Sequence, residues 1–119
     1  MCESGGVSLA SEKRRPGYLS PKRRQERFDA LFALGCIVCL RERLGYVEPE
    51  IHHLKGARWS GAGQKATDAH TIPLCPRHHR HGPDGYHHSP KEFEDQHGTQ
   101  AELLEITNET LEHMEDLPW

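Results

Sequence analysis

Cys36-Ile37-Val38-Cys39 and Cys75-Pro76-Arg77-His78 are two knuckles of one kind, separated by 35 residues. In each, a two-residue gap lets both end side chains of a tight turn point inward at a single ion. Zinc accepts four such sulfur and nitrogen ligands tetrahedrally, at about 2.0–2.3 Å. The spacing therefore predicts a structural zinc held by Cys36, Cys39, Cys75 and His78, with His70 and His81 as alternatives for the fourth position. An ordinary buried cysteine pair and a redox Cys-x-x-Cys are the competing readings, and the coincidence of two knuckles weighs against both. In a reducing compartment such a pattern favours metal over disulfide. Cys2, far from any partner in sequence, reads as an idle thiol.

A staple of this sort is what the composition asks for. Of 119 residues only 34% are apolar and 7% aromatic, and a chain this short buries a smaller share of its surface than a longer one. Metal binding energy becomes folding energy and fills that deficit. No window approaches eighteen consecutive apolar residues, which excludes a spanning helix, and no membrane partner is expected. Met1 to Ala10 lacks a basic stretch followed by an apolar one, so the expectation is a cytoplasmic protein without a secretory leader.

The net charge of −3 conceals a split. Residues 11–80 carry fourteen Lys/Arg against seven Asp/Glu, whereas residues 81–119 carry one Lys against ten Asp/Glu. The basic part suits a polyanion and the acidic end does not.

Outward from the knuckles, residues 1–19 show no periodic apolar face and are expected to form a disordered basic tail. Ser20-Pro21 reads as an N-cap followed by a first-turn proline, opening a helix over 21–34 that Gly35 stops. Its apolar face is Phe28, Leu31 and Phe32, and its first turns carry Lys22, Arg23, Arg24 and Arg27. Glu50 to Leu54 reads as a short strand, as does Thr71 to Leu74. The glycine-rich stretch Gly56 to Gly63 lacks the Gly-Lys-Ser/Thr ending of a phosphate-cradling loop. Pro76 starts a helix of at most two turns, broken at Gly82-Pro83-Asp84-Gly85. Ser89-Pro90 and Thr99-Gln100-Ala101-Glu102 open two further capped helices within 90–116. The second has an apolar stripe through Leu103 that is expected to face the core.

Eight of the ten histidines fall between residues 52 and 88. A strand with His52-His53, a loop, and a short helix with His79 outline a ββα-metal site. Ile51-His52-His53-Leu54 followed by His70-Thr71-Ile72-Pro73-Leu74-Cys75-Pro76-Arg77-His78-His79 resembles the HNH endonuclease pattern. That family typically shows Asp/His-His on the first strand, Asn before a Leu-Val-Pro-Leu-Cys-like segment, and Cys-x-x-Cys-His on the helix. More narrowly, Ile-Pro-Leu-Cys-Pro-x-His-His-Arg, Gly-Tyr-His and Ser-Pro-x-Glu-Phe-Glu resemble the phage Ref family of RecA-dependent nucleases. The resemblance covers about residues 35–105.

What it implies is a small α+β, zinc-stapled ββα-metal (HNH) domain over 20–119 with its core at 35–90, acting as a DNA endonuclease. His53 would be the general base toward the attacking water. His52 and His79 would hold one catalytic Mg²⁺ or other divalent ion that acts as a Lewis acid. Adjacent strand residues alternate faces, so His52 and His53 suit different tasks. Two positions depart from the family. The middle Asn is His70, an imidazole that orders a loop with a different donor set. The ligand expected one turn after the helix His falls at Pro83, so His87 or His88 must serve, with His87 favoured.

Arg58, Arg77 and Arg80 flank the site as candidate phosphate contacts, joined by Arg23, Arg24 and Arg27 for salt-sensitive DNA affinity. His97 and His113 read as surface residues. DNA is the expected partner, and the narrower resemblance adds a RecA filament in a bacterial host. The rival from another class is a non-catalytic zinc module that binds nucleic acid or protein. A weaker third is a small immunity or adaptor protein that uses the acidic C-terminal helices.

Overall fold

The computed structural model describes residues 17–56, 58–59, 66–83 and 85–114. The basic run Lys13-Arg14-Arg15, Cys2 and most of the Gly56 to Gly63 stretch lie outside these residues. The last three residues of the expected tail are half-buried. There Ala69 N–H donates to the Gly17 carbonyl at 3.3 Å.

Among the described residues the elements run α1 (Pro21–Leu34), α2 (Ile37–Arg41), β1 (Glu50–His53), β2 (Thr71–Leu74), one π-helical turn (Arg77–His81), α3 (Pro90–His97) and α4 (Gln100–Glu112). The protein is thus a small α+β unit with an antiparallel two-stranded sheet, in which His52 faces Ile72 and His53 faces Thr71. None of the described helices is long and apolar enough to cross a membrane.

The helix ends follow local chemistry. Ser20 Oγ accepts from Arg23 N–H at 3.3 Å, and Pro21 costs nothing at a position whose N–H is unused. Gly35 stops α1 at φ 86°, where a side chain would be strained and its Cβ would lie 2.8 Å from the Tyr46 ring. The buried face of α1 is Leu31 and Leu34; Phe32 is exposed, against the sequence expectation. Thr99 and Glu102 form the full capping box that starts α4. Ser89 makes no such side-chain bond at the start of α3.

Leu31, Leu34, Ile37, Leu54, Ile72, Leu74, Phe93 and Leu103 are fully buried around the sheet. The three described cysteines lie in the same interior. Deleting the Phe93 ring from such packing costs about 3–5 kcal/mol, a large share of the stability of a small domain.

Candidate functional site

Among the described residues three groups of side chains that could hold a metal draw on the π turn; one, Glu42 with His78 and His97, shares His78 with the sulfur cluster. Cys36 caps α2 with its sulfur, which accepts from Cys39 N–H at 3.4 Å; this turns both thiols inward. Cys75 follows β2 directly, and the turn carries His78 to the same point. Cys39 Sγ lies 3.7 Å from Cys75 Sγ, and His78 Nδ1 lies 3.7, 3.5 and 3.2 Å from the sulfurs of Cys36, Cys39 and Cys75. A sulfur–sulfur separation of 3.7 Å is far beyond a covalent bond of about 2.05 Å. It matches the edges of a tetrahedron around zinc, which are about 3.6–3.8 Å for the usual bond lengths. The chemistry of the donors agrees with the distances. Burial pushes the Cys36 and Cys39 thiols up; neighbouring sulfurs add to the effect at Cys39, and backbone N–H groups partly oppose it at Cys36, so thiolates here need a cation. This buried Cys3His cluster can hold a metal ion such as zinc. His70 and His81, the alternatives for its fourth position, lie outside the group.

His79, the next residue, turns the other way. Ligand nitrogens of His52, His79 and His87 lie within 4.8 Å of one another. Nε2 of His79 lies 3.0 Å from Nε2 of His87. His87 reaches this point because the chain folds back on the turn. Tyr86 N–H donates to the His78 carbonyl at 2.8 Å and His87 N–H to the His79 carbonyl at 2.9 Å. That approach requires Gly85, where a Cβ would lie 2.9 Å from the Arg77 carbonyl oxygen. His88 is exposed and outside the group. His52 and His79 are buried while His87 is exposed, so the group opens to solvent on one side. Nδ1 of His52 is buried with no hydrogen-bond partner, an orphaned lone pair that an ion would use. The residues therefore fit a divalent ion.

Three partners of the site histidines escaped sequence reading, two of them on this group and one on His53. Glu50 Oε1 lies 2.7 Å from His79 Nδ1, fixing that ring by its far nitrogen. Gln100 Oε1 lies 3.0 Å from His52 Nε2, and Asp68 Oδ1 lies 2.9 Å from His53 Nε2. Burial drives His52 down to about 3, only partly opposed by the Gln100 hydrogen bond. His79 and His87 are also lowered by burial, and the hydrogen bond to His79 lowers Glu50. All three imidazoles are thus neutral and ready to coordinate at pH 7.

His53 is not part of this group. It occupies the opposite face of β1, half-buried, with the Phe28 ring edge-on to it. His70 orders the connection between the strands: its Nδ1 lies 3.1 Å from Thr67 Oγ1, its carbonyl accepts from Leu54 N–H, and Trp59 packs against its ring.

Arg27 is corrected from a surface phosphate contact to an internal clamp. Its guanidinium donates to Thr71 Oγ1 at 2.9 Å, to the Thr71 carbonyl at 2.6 Å and to Asn108 Oδ1 at 3.0 Å. Arg23, Arg24, Arg58, Arg77 and Arg80 are exposed. Of these, Arg58 stacks on Trp59 and Arg80 approaches Glu50 at 3.4 Å. His97 is likewise corrected: it is buried against His78 and Phe93, with Glu42 Oε2 3.3 Å from its Nδ1. It lines a concavity of about 510 Å³ with Arg41, Glu42 and Glu102, away from the three-histidine group.

With this geometry in hand, comparison with known proteins places the chain. Residues 20–113 match the family described as Protein of unknown function (DUF968). The chain belongs to this family. An Escherichia coli (strain K12) relative, Uncharacterized protein YdfU, is 42% identical over 53 residues. That match covers 44% of this DUF968 chain and 14% of YdfU, so the chain spans a small part of the relative's length. No solved structure matches.

Proposed function

We propose that this DUF968 protein is a metal-dependent DNA endonuclease with an HNH-type ββα-metal site, stapled by zinc at Cys36, Cys39, Cys75 and His78. The observation that carries the reading is the convergence of His52, His79 and His87 beside a Cys3His cluster built on the same turn. A divalent ion held by the three imidazoles would supply Lewis acidity at the scissile phosphate and at the leaving 3′-oxygen. An all-nitrogen donor set suits ions that favour imidazole better than it suits Mg²⁺.

The chain's own groups do the rest. His53 is the general base. With Asp68 accepting its Nε2–H, Nδ1 carries the lone pair that takes a proton from water. The water oxygen bonds to phosphorus as the bond to the 3′-oxygen opens, and the proton passes to His53. Glu50 holds the His79 ring, and His70 keeps the strand connection in order. Exposed Arg23, Arg24, Arg58, Arg77 and Arg80 supply nonspecific, salt-sensitive contacts to phosphates. The sequence resemblance extends the proposal to DNA held in a RecA filament, inside a bacterial host.

The test is a nicking assay on plasmid and single-stranded DNA with Mg²⁺, Mn²⁺ or Zn²⁺, with and without RecA filaments. Wild type and His53→Ala run side by side with metal content measured. Cutting by wild type and loss in a folded, metal-loaded variant support the reading. A wild type that cuts under none of these conditions overturns it in favour of a non-catalytic binding module.

A further inference from the structure

Gln100 is the first residue of α4, buried at 6% exposure, and its side chain is pinned at both ends. Its Nε2 donates to the Lys55 carbonyl at 2.8 Å, and its Oε1 accepts from Lys55 N–H at 2.8 Å. These two bonds to one backbone unit fix which end is oxygen, since a flipped amide would face donor to donor and acceptor to acceptor. The same Oε1 lies 3.0 Å from His52 Nε2. An oxygen with no proton can only accept, so His52 must be protonated at Nε2. The lone pair is then at Nδ1, the buried atom that no protein group satisfies.

We propose that Gln100 is a positioning residue that locks His52 in its Nε2–H tautomer and thereby keeps Nδ1 open to the ion of the three-histidine site. The inference rests on the reading of His52, His79 and His87 as a metal site. It adds that α4, remote in sequence, governs the site's competence. The capping box of Thr99 and Glu102 sets where α4 begins, and so where the Gln100 carboxamide lies. Glu50 does the corresponding work for His79, by accepting from Nδ1 so that the Nε2 lone pair faces His87 Nε2, 3.0 Å away. Both rings are thus held by groups behind them, and the rings of His52 and His79 lie 5.4 and 4.6 Å from that of His87.

The experiment uses the full chain with its Cys3His centre loaded with zinc. Long-range ¹⁵N–¹H spectra read the tautomer of His52, and titration with Co²⁺ or Zn²⁺ reads the affinity of the three-histidine site. Three proteins are compared: wild type, Gln100→Glu and Gln100→Leu. Gln100→Glu keeps an acceptor toward His52, so the Nε2–H tautomer and ion affinity should survive although the bond to the Lys55 carbonyl is lost. Gln100→Leu removes the acceptor; the Nδ1–H form should appear and affinity fall by about 10–100-fold. The Cys3His centre should stay full in all three.

A wild-type His52 protonated at Nδ1 overturns the proposal. So does a Gln100→Leu protein that binds the ion as wild type does, or a Gln100→Glu protein as weak as Gln100→Leu. Should Gln100→Leu fail to fold, the wild-type tautomer and Gln100→Glu decide. A wild type with the expected tautomer that binds no ion would instead sink the metal-site reading.

Discussion

His78 and His79 are consecutive in the chain and serve opposite sides of one turn. Nδ1 of His78 lies 3.2 Å from Cys75 Sγ, while Nδ1 of His79 lies 2.7 Å from Glu50 and its Nε2 lies 3.0 Å from His87. Consecutive side chains on a helical turn point about 100° apart or somewhat less, enough to send the two rings to different neighbours. Here the turn is wider: Gly82 N–H bonds back to the Arg77 carbonyl, five residues earlier. Such wide turns recur at functional sites.

Removing the ion from the Cys3His cluster should unfold the protein. Structural zinc contributes about 10–16 kcal/mol in small metal-stapled peptides, against a total stability of about 5–15 kcal/mol for a domain. A strong chelator, or Cys39→Ser, should abolish the thermal transition seen by circular dichroism. A variant that melts as wild type does without metal would contradict the role.

His53→Ala should lower cleavage by about 10²–10⁴-fold, the usual worth of a general base. His53 is half-buried at the end of a strand and outside both ligand groups. Zinc content and melting temperature should therefore change little. Asp68→Asn should give a smaller loss, because it weakens the hold on Nε2 without removing the ring.

Arg27→Leu should destabilise the fold by roughly 1.5–3 kcal/mol, the scale of hydrogen bonds made by a charged group. Its bonds to Thr71 and Asn108 tie α1 to β2 and α4. Urea unfolding measures this loss. The salt dependence of DNA affinity should stay as in wild type, whereas Arg23→Ala should reduce its slope.

Stability should fall as the pH drops below about 6.5. His52 is held near 3 by burial, with His79 and His87 also lowered, whereas an unfolded histidine titrates near 6.5. Between those values the unfolded chain binds protons that the folded one refuses, so acid favours unfolding. A bound ion requires the same neutral imidazoles and has the same sign. Melting temperatures from pH 7.5 to 4 check it; a flat profile would contradict the burial of His52.

What the sequence made legible was local. Two-residue spacings named the Cys36, Cys39, Cys75 and His78 group, and caps at Ser20 and Thr99 marked the helix starts. His87 was favoured over His88 as the extra ligand, and it is the one beside His52 and His79. What stayed hidden depends on pairs far apart in sequence. Gln100 reaches His52 across 48 residues, and Arg27 reaches Asn108 across 81. His97 reads as one more polar residue on an acidic helix until Phe93 and His78 cover it. Helical or strand periodicity carries no trace of such long-range pairs.

The turn shared by His78 and His79 gives the molecule an order of assembly. The backbone that aims His79 at its neighbours is the backbone that the sulfur cluster holds in shape, and His87 is hung from that same turn by its N–H. The three-histidine group is therefore built on the sulfur one: a chain in which the sulfur cluster has not formed would not present it. Whatever disturbs the sulfur cluster should scatter the three imidazoles as well, whereas loss of one imidazole should leave the backbone of the sulfur cluster in place.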